Sequence, residues 1–272
     1  MGTLFLVGTP IGNLEDITQR ALRVLEEVDL IAAEDTRRSK KLLQHYAVTT
    51  PMISYHEHNK ILRSERLLDA LKSGSVALIS DAGMPGLSDP GLELIRAVID
   101  AGHPVVPIPG PSAGVAALVA SGLPTDAYVY HGYMPRKKSE RRDFIRTLRN
   151  ESHTTIFFEA PHRMQSMLED LTELLHEHRL IVICRELTKL HEEILRGTIK
   201  EMQEHFQNHE PKGEFTIVLG GVPSQDQWGE KEVLECLREK LNQGISPSQA
   251  ARQVASKSGW TRRAVYRLTL EE

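Results

Sequence analysis

The chain has 272 residues, of which 40% are hydrophobic and 26% charged, with a formal charge of −4. That length leaves room for two domains and a sizeable core. The acidic balance excludes wholesale polyanion binding, so any nucleic-acid contact must come from local basic patches, and two cysteines, Cys184 and Cys236, without CxxC spacing suggest neither zinc nor redox chemistry. The opening MGTLFLVG is too short and uncharged for a signal peptide, and no apolar run approaches membrane-spanning length. A soluble, cytoplasmic protein with no membrane partner is expected.

In chain order, the apolar run TLFLV reads as a strand, followed by a helical stripe of Ile17, Ala21, Leu25 and Val28. LIAA, VALIS and PVVPI read as further strands, with helices after Thr36, over 91–101 and over 112–121. This alternation predicts one largely parallel sheet with helical crossovers across residues 1–122. YVYHGY, TTIFFEA, RLIVICREL and EFTIVLGG predict a second α/β domain over residues 126–221, set off by the polar stretches LPTD and VPSQDQWG. Residues 229–272 contain no strand-like run. Ser246-Pro247 and Thr261 are helix starts and Gly259 a stop, which predicts a small helix-turn-helix-like appendix.

Ligands in open α/β sheets bind beyond the carboxyl ends of the strands. Three loops leaving strands are rich in glycine and proline: GTPIGN (8–13), DAGMPG (81–86) and PIPGPSAG (107–114). Glycine lets backbone approach a ligand and proline presets a loop's shape, although plain turn chemistry would explain any one of them. None matches GxxxxGK[ST] or GxGxxG. Gly110 to Gly114 matches the GxSxG elbow of serine hydrolases around Ser112, but prolines at 107, 109 and 111 interrupt the strand and no HGGG-like segment is present. HEH at 56–58 and at 176–178 could suggest a metal; the i, i+2 spacing splays such side chains on a helix, so solvated surface is the expectation.

VGTPIGNLEDIT, IAAEDTR, SDAGMPGLSDPG, PIPGPSAG, FFEAPHR, RELTKLHEEILRG and KGEFTIVLGG occur in an order that resembles the tetrapyrrole methylase superfamily, in its branch of ribosomal RNA ribose methyltransferases. The resemblance covers about residues 2–221. It implies an α/β, two-domain, class III methyltransferase fold with a small C-terminal helical appendix, the second domain closing an S-adenosylmethionine cleft, and no metal. It also implies methylation of the ribose 2′-hydroxyl of a decoding-centre cytidine, cytidine 1402 of 16S rRNA, within the small ribosomal subunit, by a homodimer. The donor contacts it implies are Pro10, Asp81, Gly83, Met84, Ser112, Ala113, Leu187, Gly213, Glu214, Phe215 and Thr216. Met84 departs from the threonine usual in similar proteins.

A ribose hydroxyl is a poor nucleophile until its proton leaves, so acidic residues in the motif loops are the candidate bases: Asp35, Asp16 and Glu159. Arg37 and Arg163 are candidate phosphate anchors. Structural readings stand beside these: Asp16 capping a helix, Asp35 paired with Arg37, Glu159 orienting Arg163. The segment PRKKSERRDFIRTLR (135–149) holds seven basic and two acidic residues and suits an RNA backbone clamp through Arg136, Lys137, Lys138, Arg141 and Arg142, or a solvated helix face. The appendix adds Arg262 and Arg263, with Trp260 and Tyr266 either stacking on bases or forming core.

Overall fold

β1 (Leu4–Val7), β2 (Leu30–Ala33), β3 (Met52–Ser54), β4 (Val76–Ile79) and β5 (Val105–Ile108) form the first sheet of the protein, described here from a computed structural model over residues 2–56, 60–222 and 228–269. Its order is β3-β2-β4-β1-β5 and every pairing is parallel. The crossovers are α1 (Gln19–Glu27), α2 (Thr36–His45), α3 (Lys60–Ser73) and α4 (Leu92–Asp100), and α5 (Ala113–Ser121) leaves β5. A parallel sheet covered on both faces needs unbroken apolar strands, and all four residues of β4 are buried. The helical stripe of Ile17, Ala21, Leu25 and Val28 is buried beneath it. The helix itself begins later than the stripe, at Thr18, whose hydroxyl accepts the Ala21 N–H. Asp16 therefore caps nothing here; it closes a short 3-10 turn capped by Asn13.

The second sheet contains β6 (Tyr128–Tyr133), β7 (Thr154–Glu159), β8 (Leu180–Arg185), β9 (Glu193–Thr198) and β10 (Phe215–Leu219) in the order β6-β7-β10-β8-β9. Only β6 and β7 run parallel; the other pairings are antiparallel. α6 (Lys138–Thr147), α7 (Met164–Leu174) and α8 (Ile199–Asn208) complete this half, whose core joins Phe157, Ile183 and Ile217 to Met164, Leu168, Ile199 and Phe206. The other side of the sheet is closed by α5, whose Ala117 and Leu118 pack against Ile156, Val182, Cys184 and Val218. Only one side of the apolar sequence AGVAALVAS is buried in this way; Val115 and Val119 on the other side are exposed.

β3 and β9 do not stand out in the sequence. β3 is three residues long, and β9 (EILRGT) is a half-exposed edge strand whose polar alternation resembles a loop.

α6 and α7 are clamped by ions rather than by apolar contact alone. Asp170 Oδ2 accepts from Arg141 Nε at 2.8 Å and Nη2 at 2.6 Å, its Oδ1 accepts from Arg142 Nη1 at 2.7 Å, and Arg142 reaches on to Glu173. Arg141 and Asp170 are both buried. This corrects the expected RNA clamp: Arg141 holds the fold, Arg142 is largely committed to carboxylates, and Arg136, Lys137 and Lys138 stay exposed.

Both sheets belong to one compact unit, while residues from Gly221 onward, with 150–152, belong to another. The second unit contains α9 (Glu230–Asn242), α10 (Pro247–Ser258) and α11 (Arg262–Leu268) around Val233, Leu237, Val254 and Val265. Ser246 and Thr261 occupy the N-cap positions and Gly259 ends α10 with φ +70°. Trp260 donates from Nε1 to the Trp228 carbonyl at 2.7 Å and packs on this core, so it is structural; Arg262, Arg263 and Tyr266 are exposed. Residues 223–227 of VPSQDQWG and residues 57–58 of the first HEH lie outside the described residues. Among the described residues no helix is long and apolar enough to cross a membrane.

Candidate active site

The carboxyl ends of β1, β4 and β5 send out the three glycine- and proline-rich loops, and the structure ties them to one another. Gly8 and Gly110 are in backbone contact: a Cβ on Gly8 would lie 2.8 Å from Gly110 Cα and 2.7 Å from Met84 Sδ. No other residue type fits at that crossing. Thr9 and Gly83 exchange backbone hydrogen bonds of 2.9 and 3.0 Å, and the Thr9 hydroxyl donates to the Ser80 carbonyl at 3.2 Å. The first loop also reaches the second half, where Asn13 N–H donates to Thr188 Oγ1 at 3.1 Å. Loops fixed in this way offer backbone groups at positions set before a ligand arrives, which lowers the entropic cost of binding.

Between the loops and the second sheet lies a cleft of about 510 Å³, a size suited to a small-molecule ligand. Its first-sheet wall is formed by Ile11, Glu34, Arg38 and residues around 81–89 and 112–115. Its second-sheet wall is formed by Tyr128, Tyr130, Tyr133, Phe158 and Glu159, with Leu187 and Gly213–Thr216 closing one side. Of the expected donor contacts, all but Pro10 line this cleft; its neighbour Ile11 does so instead. Met84 fills the space against Gly8, so its side chain bears on the loop crossing as well as on the cleft.

Ser112 sits at the N-cap of α5 with φ −146° and ψ 115°, ordinary extended backbone without the strain of a nucleophile elbow. Among the described residues no histidine lines the cleft, so none of them offers a hydrolytic triad its base there. Among the described residues no group of three or more His, Cys, Asp or Glu could hold a metal ion. His178 of the second HEH stands 3.6 Å from Glu177 on an exposed turn.

The carboxylates divide by environment. Asp35 caps α2 and grips Arg37 through Nε at 3.1 Å and Nη2 at 2.8 Å, and this hydrogen-bonded pairing lowers its pKa to about 2. It is a weak proton acceptor at neutral pH, and its partner Arg37 is correspondingly occupied. Arg38, one residue on, lines the cleft and pairs with Asp81 at 3.1 Å. Asp16 borders a separate shallow groove with Thr18, Pro109–Ser112 and Thr188.

Glu159 is buried at the end of β7, and burial raises its pKa. Its Oε1 accepts the Ala160 N–H at 2.8 Å and lies 3.0 Å from Arg163 Nε, while Oε2 has no hydrogen-bond partner. Arg163 donates through Nη2 to the carbonyls of Met134 and Pro135 at 3.0 and 2.6 Å. That corrects its expected role as a phosphate anchor: the guanidinium braces the β6–α6 turn and orients Glu159.

Asp89 is a cleft acid that the sequence patterns leave unmarked. Burial, then the charge of Glu34 and that of Asp81, push its pKa up to about 6 against the opposing Ser80 hydrogen bond; Glu34 is likewise raised, chiefly by burial. A carboxyl whose pKa is higher folded than unfolded binds more protons in the folded state, so its stability contribution falls as pH rises from about 4 through about 6. Asp89→Asn is therefore expected to raise Tm above pH 7 and to leave it unchanged at pH 4, as read by thermal melts across that range. An equal shift at both pH values would show that the carboxylate cluster carries no such strain.

A parallel sheet with prearranged loops at its carboxyl ends, facing a second sheet across an open cleft, defines an α/β enzyme that encloses a small ligand between two halves. A family model described as Tetrapyrrole (Corrin/Porphyrin) Methylases matches residues 3–203. The chain is 47% identical to ribosomal RNA small subunit methyltransferase I of Synechocystis sp., covering 100% of this chain and 98% of that protein, and 42% identical to the Bacillus subtilis protein of the same name, covering 98% and 93%. Uroporphyrin-III C-methyltransferase from Thermus thermophilus, solved with S-adenyl homocysteine, shares the fold with a TM-score of 0.56 at 19% identity, covering 80% of this chain and 97% of that one. The chain belongs to the tetrapyrrole (corrin/porphyrin) methylase family, in the branch of the ribosomal RNA small subunit methyltransferase I proteins.

Proposed function

We propose that the chain transfers a methyl group from S-adenosylmethionine to the ribose 2′-oxygen of a decoding-centre cytidine in small-subunit ribosomal RNA. The observation that carries this reading is near-complete, two-way coverage at 42–47% identity by relatives bearing that name. The cleft fits a donor of this size, and the contacting positions would be Asp81, Gly83, Met84, Ser112, Ala113, Leu187 and Gly213 to Thr216. The bound sulfonium supplies an electrophilic methyl group.

The chain's own residues have three tasks. The linked loops hold the donor in one pose, and alignment of reacting groups of this kind is worth roughly 7–11 kcal/mol. The apolar walls from Ile11, Leu187 and Phe158 exclude water. A carboxylate in the cleft takes the hydroxyl proton, and Glu159, with its unsatisfied Oε2 and raised pKa, suits this better than Asp35, whose proton affinity is lowered, or Asp16, which lies on the other groove. Exposed Arg136, Lys137 and Lys138, and Arg262 and Arg263 on the helical unit, would meet RNA phosphates. We read the active assembly as a homodimer acting on the small subunit.

The test is transfer of labelled methyl from S-adenosylmethionine to small subunits lacking ribose methylation, against naked RNA, with mapping of the labelled nucleotide. Label at one alkali-resistant cytidine is expected. Donor binding without label on either substrate would overturn the RNA reading. Glu159→Gln should lower turnover by about two to four orders of magnitude, whereas Asp35→Asn should keep it within tenfold.

A further inference from the structure

β6 carries three tyrosines in six residues, YVYHGY, and all three line the cleft. In a regular strand Tyr128 and Tyr130 share a face and Tyr133, three residues beyond Tyr130, turns to the opposite one. The pairing with β7 slips here: Tyr130 stands opposite Ile156 while Tyr133 stands opposite Phe158, so β6 spends one extra residue over the same span. Gly132 accommodates the irregularity with φ +66°, and a Cβ there would lie 2.8 Å from Ser88 Oγ on the loop after β4. A bulge of this kind re-aims the side chain that follows it. Tyr133 is thereby brought round to the cleft.

The three rings are not equivalent. Tyr130 is committed, its hydroxyl sharing a 2.6 Å hydrogen bond with the Ser88 hydroxyl and its ring meeting Phe158 edge-on at 5.6 Å. Phe158 also meets Tyr133 edge-on, at 5.4 Å and 62°. Tyr133 nonetheless stays 63% exposed. Glu214, Asp89 and Glu159 stand close enough that their charges, after burial, raise its phenol pKa. An aromatic face is thus held out, backed by a second ring, in the cleft that Glu159 also lines.

We propose that Tyr133, backed by Phe158, is the acceptor subsite of the cleft, a stacking platform for the unstacked pyrimidine base of the nucleotide being methylated. This rests on the RNA methyl-transfer reading above and adds to it the group that seats the acceptor. A base taken out of its stack needs an aromatic surface to replace its lost neighbours, and every base offers a face for one. The competing occupant is the adenine of the donor. The expected donor contacts lie on the linked loops of the first sheet, at Leu187 and at the start of β10, whereas Tyr133 rises from the edge strand β6, with β7 and its Phe158 between it and β10.

The test compares wild type, Tyr133→Ala and Tyr133→Phe by steady-state methyl transfer to small subunits lacking ribose methylation and by calorimetric titration with S-adenosylhomocysteine. Tyr133→Ala is expected to raise KM for the subunit on the order of 10- to 100-fold, with kcat and S-adenosylhomocysteine affinity within a few fold of wild type. Tyr133→Phe should stay near wild type throughout. An unchanged KM in the alanine variant, an equal loss in the phenylalanine variant, or weakened S-adenosylhomocysteine binding would each overturn the proposal, the last assigning the ring to the donor. Wild-type activity is read first, so donor binding without transfer to RNA identifies failure of the underlying reading, and the subsite falls with it.

Discussion

Asp170→Ala is expected to destabilise the protein by about 3–5 kcal/mol, a fall in Tm of roughly 6–20 °C, without touching the cleft. The carboxylate is the shared partner of Arg141 and Arg142, and its removal strands the buried Arg141 guanidinium with a 3.4 Å contact to the Ser166 carbonyl as its remaining hydrogen bond. Most of the cost is that uncompensated charge rather than the worth of the pair. Arg142 is partly protected because Glu173 still receives it. Replacing both members of the buried pair by apolar residues, Arg141→Met with Asp170→Leu, should recover much of the loss, because no charge is then left in the core. Denaturant melts of the three proteins decide it; a single-variant loss below about 1 kcal/mol would mean that water reaches the pair in solution.

Gly8→Ala should have a large effect on ligand binding for a one-methyl change. The new Cβ would stand 2.8 Å from Gly110 Cα and 3.0 Å from Gly110 N, so backbone must move on one side or the other. A flexible side chain could yield cheaply; the main chain of two tied loops cannot. Overpacking of this kind costs about 1–3 kcal/mol. Displacing the loops also spoils the positions of Gly83 and Ser112, and a misplacement near 1 Å can cost on the order of 100-fold in a positioned reaction. We expect S-adenosylhomocysteine affinity to fall at least tenfold by titration. Gly122→Ala is the control: φ +79° with open space around it makes the substitution cost about 1 kcal/mol of backbone strain, with donor affinity unaltered. Equal affinity in Gly8→Ala and wild type would remove the crossing from the binding site.

Where chemistry depends on local pattern, the sequence alone determined much of this protein. Alternating apolar strands and helical stripes follow from a backbone whose side chains repeat at two or 3.6 residues, so the strands of both sheets other than β3 and β9 are legible, as are helix starts such as Ser246 and Thr261. The glycine- and proline-rich loops are legible from residue type as well, because glycine widens the allowed φ range and proline fixes it. Seven motifs in order were enough to place the chain in its family, which the comparisons show.

What only the tertiary structure decided is which polar groups are free. PRKKSERRDFIRTLR is one basic run to the eye, yet Arg141 is buried because Asp170, 29 residues away, faces it across two helices. Asp89 is unremarkable in SDPG until folding sets it near Glu34 and withdraws it from water. Arg163 and Trp260 have the composition of RNA contacts, but Arg163 Nη2 and Trp260 Nε1 donate to backbone carbonyls. Tyr133 reaches the cleft through a one-residue slip that no periodicity encodes. Each of these roles depends on distances between residues far apart in the chain, and proximity in space, unlike periodicity, leaves no mark on neighbouring residues.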